Sequence, residues 1–249
     1  MGEKEDKLNE LREKLKKIAE ERQVNPTLQE SKDSSPSFAR AVMRGGIKAV
    51  FALENEEARE IVIREAGLAS FEAFLNTDRK KWDSEEGLPE VFRATMAGVY
   101  RGILKLGEED KKIVLRAMGE ACFHRFLWSF RNWEAAGIPM AEGSHDIDSA
   151  AVILESGLTV REINRVGDTI FWRGKTGSRY DSCACCLVLS GITEPVAEVC
   201  QCASWHMKKM WEYHTGLPME AQLVETINTG SDGDCVFRVN IKPSQYTAR

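Results

Sequence analysis

Near Gly157 the hydrophobic period of this chain changes, and that change limits the folds open to it. Before it, apolar residues recur at helical spacing. After it, Thr159 to Val166, a Gly167-Asp168 turn and Thr169 to Trp172 alternate with a period near two, the pattern of a β-hairpin. A second alternating pair follows: Leu217 to Asn228, then turn residues Thr229 to Asp234, then Cys235 to Ile241. Between the two pairs, the segment from Glu194-Pro195 to His214 has helical spacing and stops at Gly216. The reading is α+β: a helical N-terminal half packed on a small C-terminal unit of antiparallel strands and one helix. It divides the chain into 1–36, 37–157 and 158–249.

The first region places Leu8, Leu11, Leu15 and Ile18 in a narrow seam on an otherwise charged helix. That seam either docks on the body or pairs with a copy of itself, giving a homodimer. Deleting residues 1–30 is expected to leave the body folded. Asn25-Pro26 to Ser34-Ser35-Pro36 reads as a linker. Region 37–157 is helical almost throughout, interrupted at Gly45-Gly46, with Gly67 ending one helix and acidic Glu108, Glu109 and Asp110 opening another. The helix after Glu108 carries Glu120, Cys122 and His124. Glu120 and His124, four apart, share a face as a ligand-binding pair would. Asp146 or Ser144 reads as the N-cap of the apolar run that follows it.

The net charge of −5 and the lack of a basic patch exclude nucleic acid as a partner. No apolar run is long enough to cross a membrane, and the first residues do not form a secretion signal, so a cytoplasmic location is expected. A reducing compartment in turn makes clustered cysteines metal ligands or catalytic thiols rather than a disulfide framework.

Five of the seven cysteines lie between Cys183 and Cys202, and no Lys or Arg occurs from Asp181 to His206. Crowded thiols without a neighbouring cation do not all ionise, and a metal ion is one source of the missing charge. On the 195–214 helix, Val196, Val199, Ala203, Met207, Met210 and His214 form the buried stripe. Cys202 and His206 share its flank, and Cys200 lies about 160° from Cys202. In an extended arm, Cys185 and Cys186 point oppositely while Cys183 shares the side of Cys185. The most economical metal site is Cys183, Cys185, Cys202 and His206, a set suited to zinc, and a four-cysteine version suits an iron–sulfur cluster. A catalytic thiol without metal would take Cys186 or Cys202 as nucleophile and His206 as base. Plain packing of small apolar side chains stays open beside both.

Glu225-Thr226, Gly230 and Asp234-Cys235-Val236-Phe237, ending in an alternating strand, resemble the tail of the 4-vinyl-reductase ligand-binding domains. They also resemble the tail of the L-2-amino-thiazoline-4-carboxylic acid hydrolase family. The resemblance covers the last third of the chain. Asn228 stands where the 4-vinyl-reductase tails carry a second cysteine, so a metal site built from that pair does not transfer. The hydrolase resemblance implies opening of a C–N or C–S bond in a small ring, with Glu225 as acid or base. The 4-vinyl-reductase resemblance implies a non-enzymatic small-ligand-binding or sensor module, with Cys235 beside the ligand.

Overall fold

The structure is a computed structural model that describes residues 2–22, 28–67, 71–72, 90–127, 134, 137–155, 160–174, 185–194, 197–226 and 235–242. These residues form an α+β fold. Its helices are α1 Gly2–Arg22, α2 Leu28–Ala52, α3 Glu56–Ala66, α4 Glu90–Leu104, α5 Glu108–Leu127, α6 Ile147–Glu155, α7 Cys186–Leu189 and α8 Ala197–Thr215. The strands are β1 Val160–Val166, β2 Thr169–Gly174, β3 Met219–Glu225 and β4 Val236–Ile241, all antiparallel, in the order β1-β2-β4-β3.

The compact units do not follow chain order. One, here the sheet unit, comprises Met1–Thr27, Phe126–Asp181 and Ser204–Arg249; the other, the helical unit, comprises Leu28–Arg125 and Ser182–Ala203. The three-part division read from composition therefore gives way to two interleaved units. The supposed linker is also shorter than expected. Helix α2 already runs from Leu28, and residues 23–27 lie outside the described ones.

In the helical unit, Val42, Met43, Ile47 and Val50 of α2, Met96, Val99 and Ile103 of α4, and Val114, Leu115 and Met118 of α5 share one buried core. Glycines set how closely these helices meet. An ideal Cβ at Gly45 would lie 2.6 Å from the Ala121 Cβ, and one at Gly46 would lie 2.9 Å from the Met118 Cγ. One at Gly98 would come 2.5 Å from the Glu65 carbonyl oxygen, and one at Gly102 would come 2.6 Å from the Val62 Cα. Gly45-Gly46 thus does not interrupt α2. The helix runs through the pair, and the missing side chains let α5 approach. Asn55 caps α3, its side chain accepting from the Ala58 N–H, and Gly67 ends it at φ 80°.

The sheet unit keeps the expected hairpins. Gly167 turns β1 into β2 at φ +62°. Ile170 pairs with Val239 and Trp172 with Phe237, all four buried, while Phe171 and Arg238 face outward. The Trp172 and Phe237 rings meet edge to face at 5.5 Å. Asp146 caps α6 as expected, accepting from the Ser149 N–H at 2.8 Å.

Helix α1 docks within its own chain. Leu15, 2% exposed, and Ile18 are buried with Ile138, Met140, Val152 and Ile153, and Leu8 and Leu11 pack on the same cluster. Lys4 bonds Asp148, which Arg165 also holds at 2.9 Å, and Lys14 donates to the Gly137 carbonyl at 2.9 Å. The exposed ion pairs add little, so the apolar seam carries the attachment. A seam used in this way is not available for a homodimer, and deletion of residues 1–30 removes core rather than an appendage. Leu15→Ala is accordingly expected to lower the unfolding free energy by about 2–5 kcal/mol in urea titration. An unchanged midpoint would show that α1 is not part of this core.

Candidate functional site

Cys185 at the start of α7 and Cys200 and Cys202 of α8 lie close enough to one tyrosine to act on its hydroxyl. Tyr100 lies on α4 between Gly98 and Gly102, on the apolar face formed by Met96, Val99 and Ile103. It is 1% exposed, and its hydroxyl has no hydrogen-bond partner among the described residues. Burial pushes the hydroxyl pKa well up, and the neighbouring Cys202, Cys185, Glu198 and Cys200 push it further in the same direction. Tyr100 is therefore a neutral O–H group that has lost water without gaining a protein partner among these residues.

Cys122 comes from α5, next to the Ala121 methyl that faces Gly45. Cys185 and Cys186 come from the start of α7. That single turn is pinned by the fully buried Leu187 and by the Leu189 N–H on the Cys185 carbonyl (2.9 Å), the Ser190 N–H on the Cys186 carbonyl (3.0 Å) and the Ile192 N–H on the Leu187 carbonyl (2.9 Å). The Cys186 thiol is hydrogen-bonded to those of Cys122 and Cys185. The partnership with Cys122, then that with Cys185, then burial raise the Cys186 pKa well above its ordinary value. No cation is among these influences, so Cys186 holds its proton and donates S–H. Ser190, one turn after Cys186, is buried, and its hydroxyl also lacks a partner among the described residues.

The sequence candidates divide around this cluster. Cys185 and Cys186 both belong to it, although alternation along a strand had set them on opposite sides. Cys186 opens a helical turn with Cys185, still extended, at its cap position, so the two do not lie in one strand. The raised pKa of Cys186 disfavours it as an attacking thiolate. Cys183 lies outside the described residues. Helix α8 begins at Ala197, so Cys200 and Cys202 are both helical, and both are buried although they point in different directions. Cys202 packs in the helical core. His206, one turn on, groups with the sheet unit, where its ring meets Phe126 edge-on at 5.5 Å.

The remaining candidates sit elsewhere. Glu120 pairs with Arg116 at 3.0 Å, and His124 is exposed beside the Phe123 ring. Glu225 lies in β3 opposite Val236. Cys235 is buried just before β4, its carbonyl accepting from the Gly174 N–H at 2.8 Å. Both belong to the sheet unit.

Among the described residues, no three of His, Cys, Asp and Glu come together in a way that could hold a metal ion. Of the zinc set, Cys185, Cys202 and His206 are described and Cys183 lies outside the described residues. None of the six described cysteines is in a disulfide.

Sequence reasoning did not single out Tyr100 or give Cys122 a role. Tyr100 reads as one more apolar position on α4, and Cys122 stands between Glu120 and His124, which drew attention to the opposite side of the helix. The sheet unit's histidines serve structure. His145 Nε2 lies 2.6 Å from the Pro139 carbonyl, the His145 N–H bonds the His214 carbonyl, and Tyr213 donates to the Met140 carbonyl. These bonds tie the loop before α6 to the end of α8. Burial, reinforced by His145, pushes the His214 pKa down to about 4, so the ring stays neutral.

No family model, curated protein or solved structure matches the chain. No described helix is long and apolar enough to cross a membrane.

Tyr100→Phe gives a direct check on the centre of this site. Removing a buried hydroxyl that no described residue satisfies is expected to leave stability unchanged or raised by about 1 kcal/mol. A loss of that size in urea titration would mean that the hydroxyl has a structural partner.

Proposed function

We propose that this chain is a thiol-dependent hydrolase that opens a C–N or C–S bond of a small sulfur- or nitrogen-containing ring. The observation that carries the reading is the Cys122–Cys186–Cys185 thiol chain with the buried Tyr100 hydroxyl close by. The likeness of the Glu225 to Phe237 tail to the thiazoline carboxylate hydrolases supports the substrate class. In this reading the Cys185 thiolate adds to the electrophilic ring carbon, and the ring C–N or C–S bond breaks. The leaving atom takes the proton held by Cys186, and water then cleaves the thiol adduct. Tyr100, neutral and poorly solvated, donates a hydrogen bond to the charge that develops. No step is routed through a metal. A reducing compartment such as the cytoplasm would keep the thiols in the required state.

The absence of a cation among the influences on Cys186 favours a second reading: a small-ligand-binding or sensor module in which the thiols contact the ligand without chemistry. Turnover separates the two. Purified reduced protein is incubated with 2-aminothiazoline-4-carboxylate and ring opening is followed. The hydrolase reading expects turnover that Cys185→Ala abolishes, that Cys186→Ala lowers by about a hundredfold or more, and that Cys235→Ala leaves largely intact. Saturable binding without turnover would support the sensor module instead.

A further inference from the structure

We infer that the outer edge of β3 is a self-association surface, where a second copy of this chain pairs antiparallel so that the two sheets become one. The inference goes beyond the hydrolase reading and does not depend on it. It is also separate from α1, whose apolar seam is used within the chain.

The order β1-β2-β4-β3 leaves two edge strands, β1 and β3. In an antiparallel ladder the N–H and C=O of one residue point the same way, and successive residues point to opposite neighbours. The Ile241 N–H bonds the Asp168 carbonyl on the β2 side, so Val239 and Phe237 also turn their backbone groups to β2. Their partners on β3, Ala221 and Leu223, therefore turn theirs away from β4, to the outside of the sheet. The same alternation, carried through Trp172, turns the Ile163 N–H of β1 outward.

The two edges are finished differently. On β1, the Ile163 N–H is taken by the Glu155 carboxylate at 3.0 Å. On β3, the Met219 N–H is likewise held by the Glu212 carboxylate at 3.2 Å, but the outward groups of Ala221 and Leu223 have no partner among the described residues. Lysine and proline, which commonly blunt an open edge, are absent from Met219–Glu225. Ala221 and Leu223 are only partly buried on the inward face, and Val224 is 50% exposed.

A second β3 suits this edge because the edge complements itself. With a two-fold axis at Gln222, each Ala221 faces Leu223 of the second copy. Both open N–H groups of each chain then meet carbonyls of the other, and the Met219–Glu212 bond stays intact. On the inward face a small side chain meets a large one at both positions. Glu220 lies opposite Val224 of the second copy, so no two carboxylates oppose each other. An axis at Ala221 would set Leu223 against Met219, whose N–H is already held. An axis at Leu223 would run into the register shift before Glu225. With Glu155 on the β1 edge, the contact closes at two chains and does not continue as a fibre.

The test is sedimentation velocity of the full reduced chain from micromolar to several hundred micromolar. Wild type, Gln222→Glu, Gln222→Lys and an equimolar mixture of the two variants are compared. Gln222 is exposed, and Glu in its place still accepts from Arg238. Wild type is expected to pass from monomer to dimer with concentration and no further. Each variant alone sets like charges across the axis and should raise the dimer dissociation constant by about fivefold or more. The mixture sets opposite charges there and should restore association. In wild type, the Ala221 and Leu223 amide protons should exchange more slowly as concentration rises, while that of Ile163 stays unchanged. A wild type that is monomeric throughout, assembly beyond two chains, or a dimer that both variants leave unchanged would each overturn the inference. So would a dimer in which exchange at Ala221 and Leu223 does not slow, and that measurement needs no variant to fold.

Discussion

Helices without side chains at their contact points set the geometry of the helical unit. Gly98 and Gly102 let α4 lie against α3, and Gly45 and Gly46 let α2 lie against α5. Tyr100 stands between the first two glycines, and Cys122 follows the alanine whose methyl faces the third. Close backbone approach therefore sets where the tyrosine and the thiol stand. Filling any of these contacts with a methyl forces the helices apart, at about 1–3 kcal/mol for overpacking, against a gain of about 1 kcal/mol in helix propensity.

Charge is the second constraint. Cys186, under the influence of Cys122, Cys185 and burial, resists ionisation. A site built this way supplies protons and soft, polarisable contacts more readily than a standing thiolate. The Tyr100 and Ser190 hydroxyls are buried and have no hydrogen-bond partner among the described residues.

Much of the fold was legible because it rests on local rules. The Gly167-Asp168 turn, the cap at Asp146, the stop at Gly67 and the extent of α8 follow from turn and helix-end chemistry that acts within a few residues. The role of Gly45-Gly46 was not legible, since a glycine pair reads as an interruption until the partner helix is known. The docking of α1 failed for a related reason. A seam of four apolar residues looks too narrow for a core helix, but Ile138, Met140, Val152 and Ile153 supply the rest of that core from more than a hundred residues away. At the site, spacing marked the cysteines, yet it grouped them by sequence. Cys202 and His206 share a helix flank but belong to different compact units, whereas Cys122 joins Cys186 from a distant helix.

The central claim is that Cys186 is the proton-holding middle of a three-thiol chain. Its titration tests this most directly. Protein labelled with carbon-13 at the cysteine Cβ is followed by NMR from neutral to alkaline pH, with the Cys186 resonance assigned by Cys186→Ser. The expected midpoint lies well above the ordinary thiol value of about 8.5 and moves down toward it in Cys122→Ser. A Cys186 midpoint at or below the ordinary value, unmoved by loss of Cys122, would contradict the account.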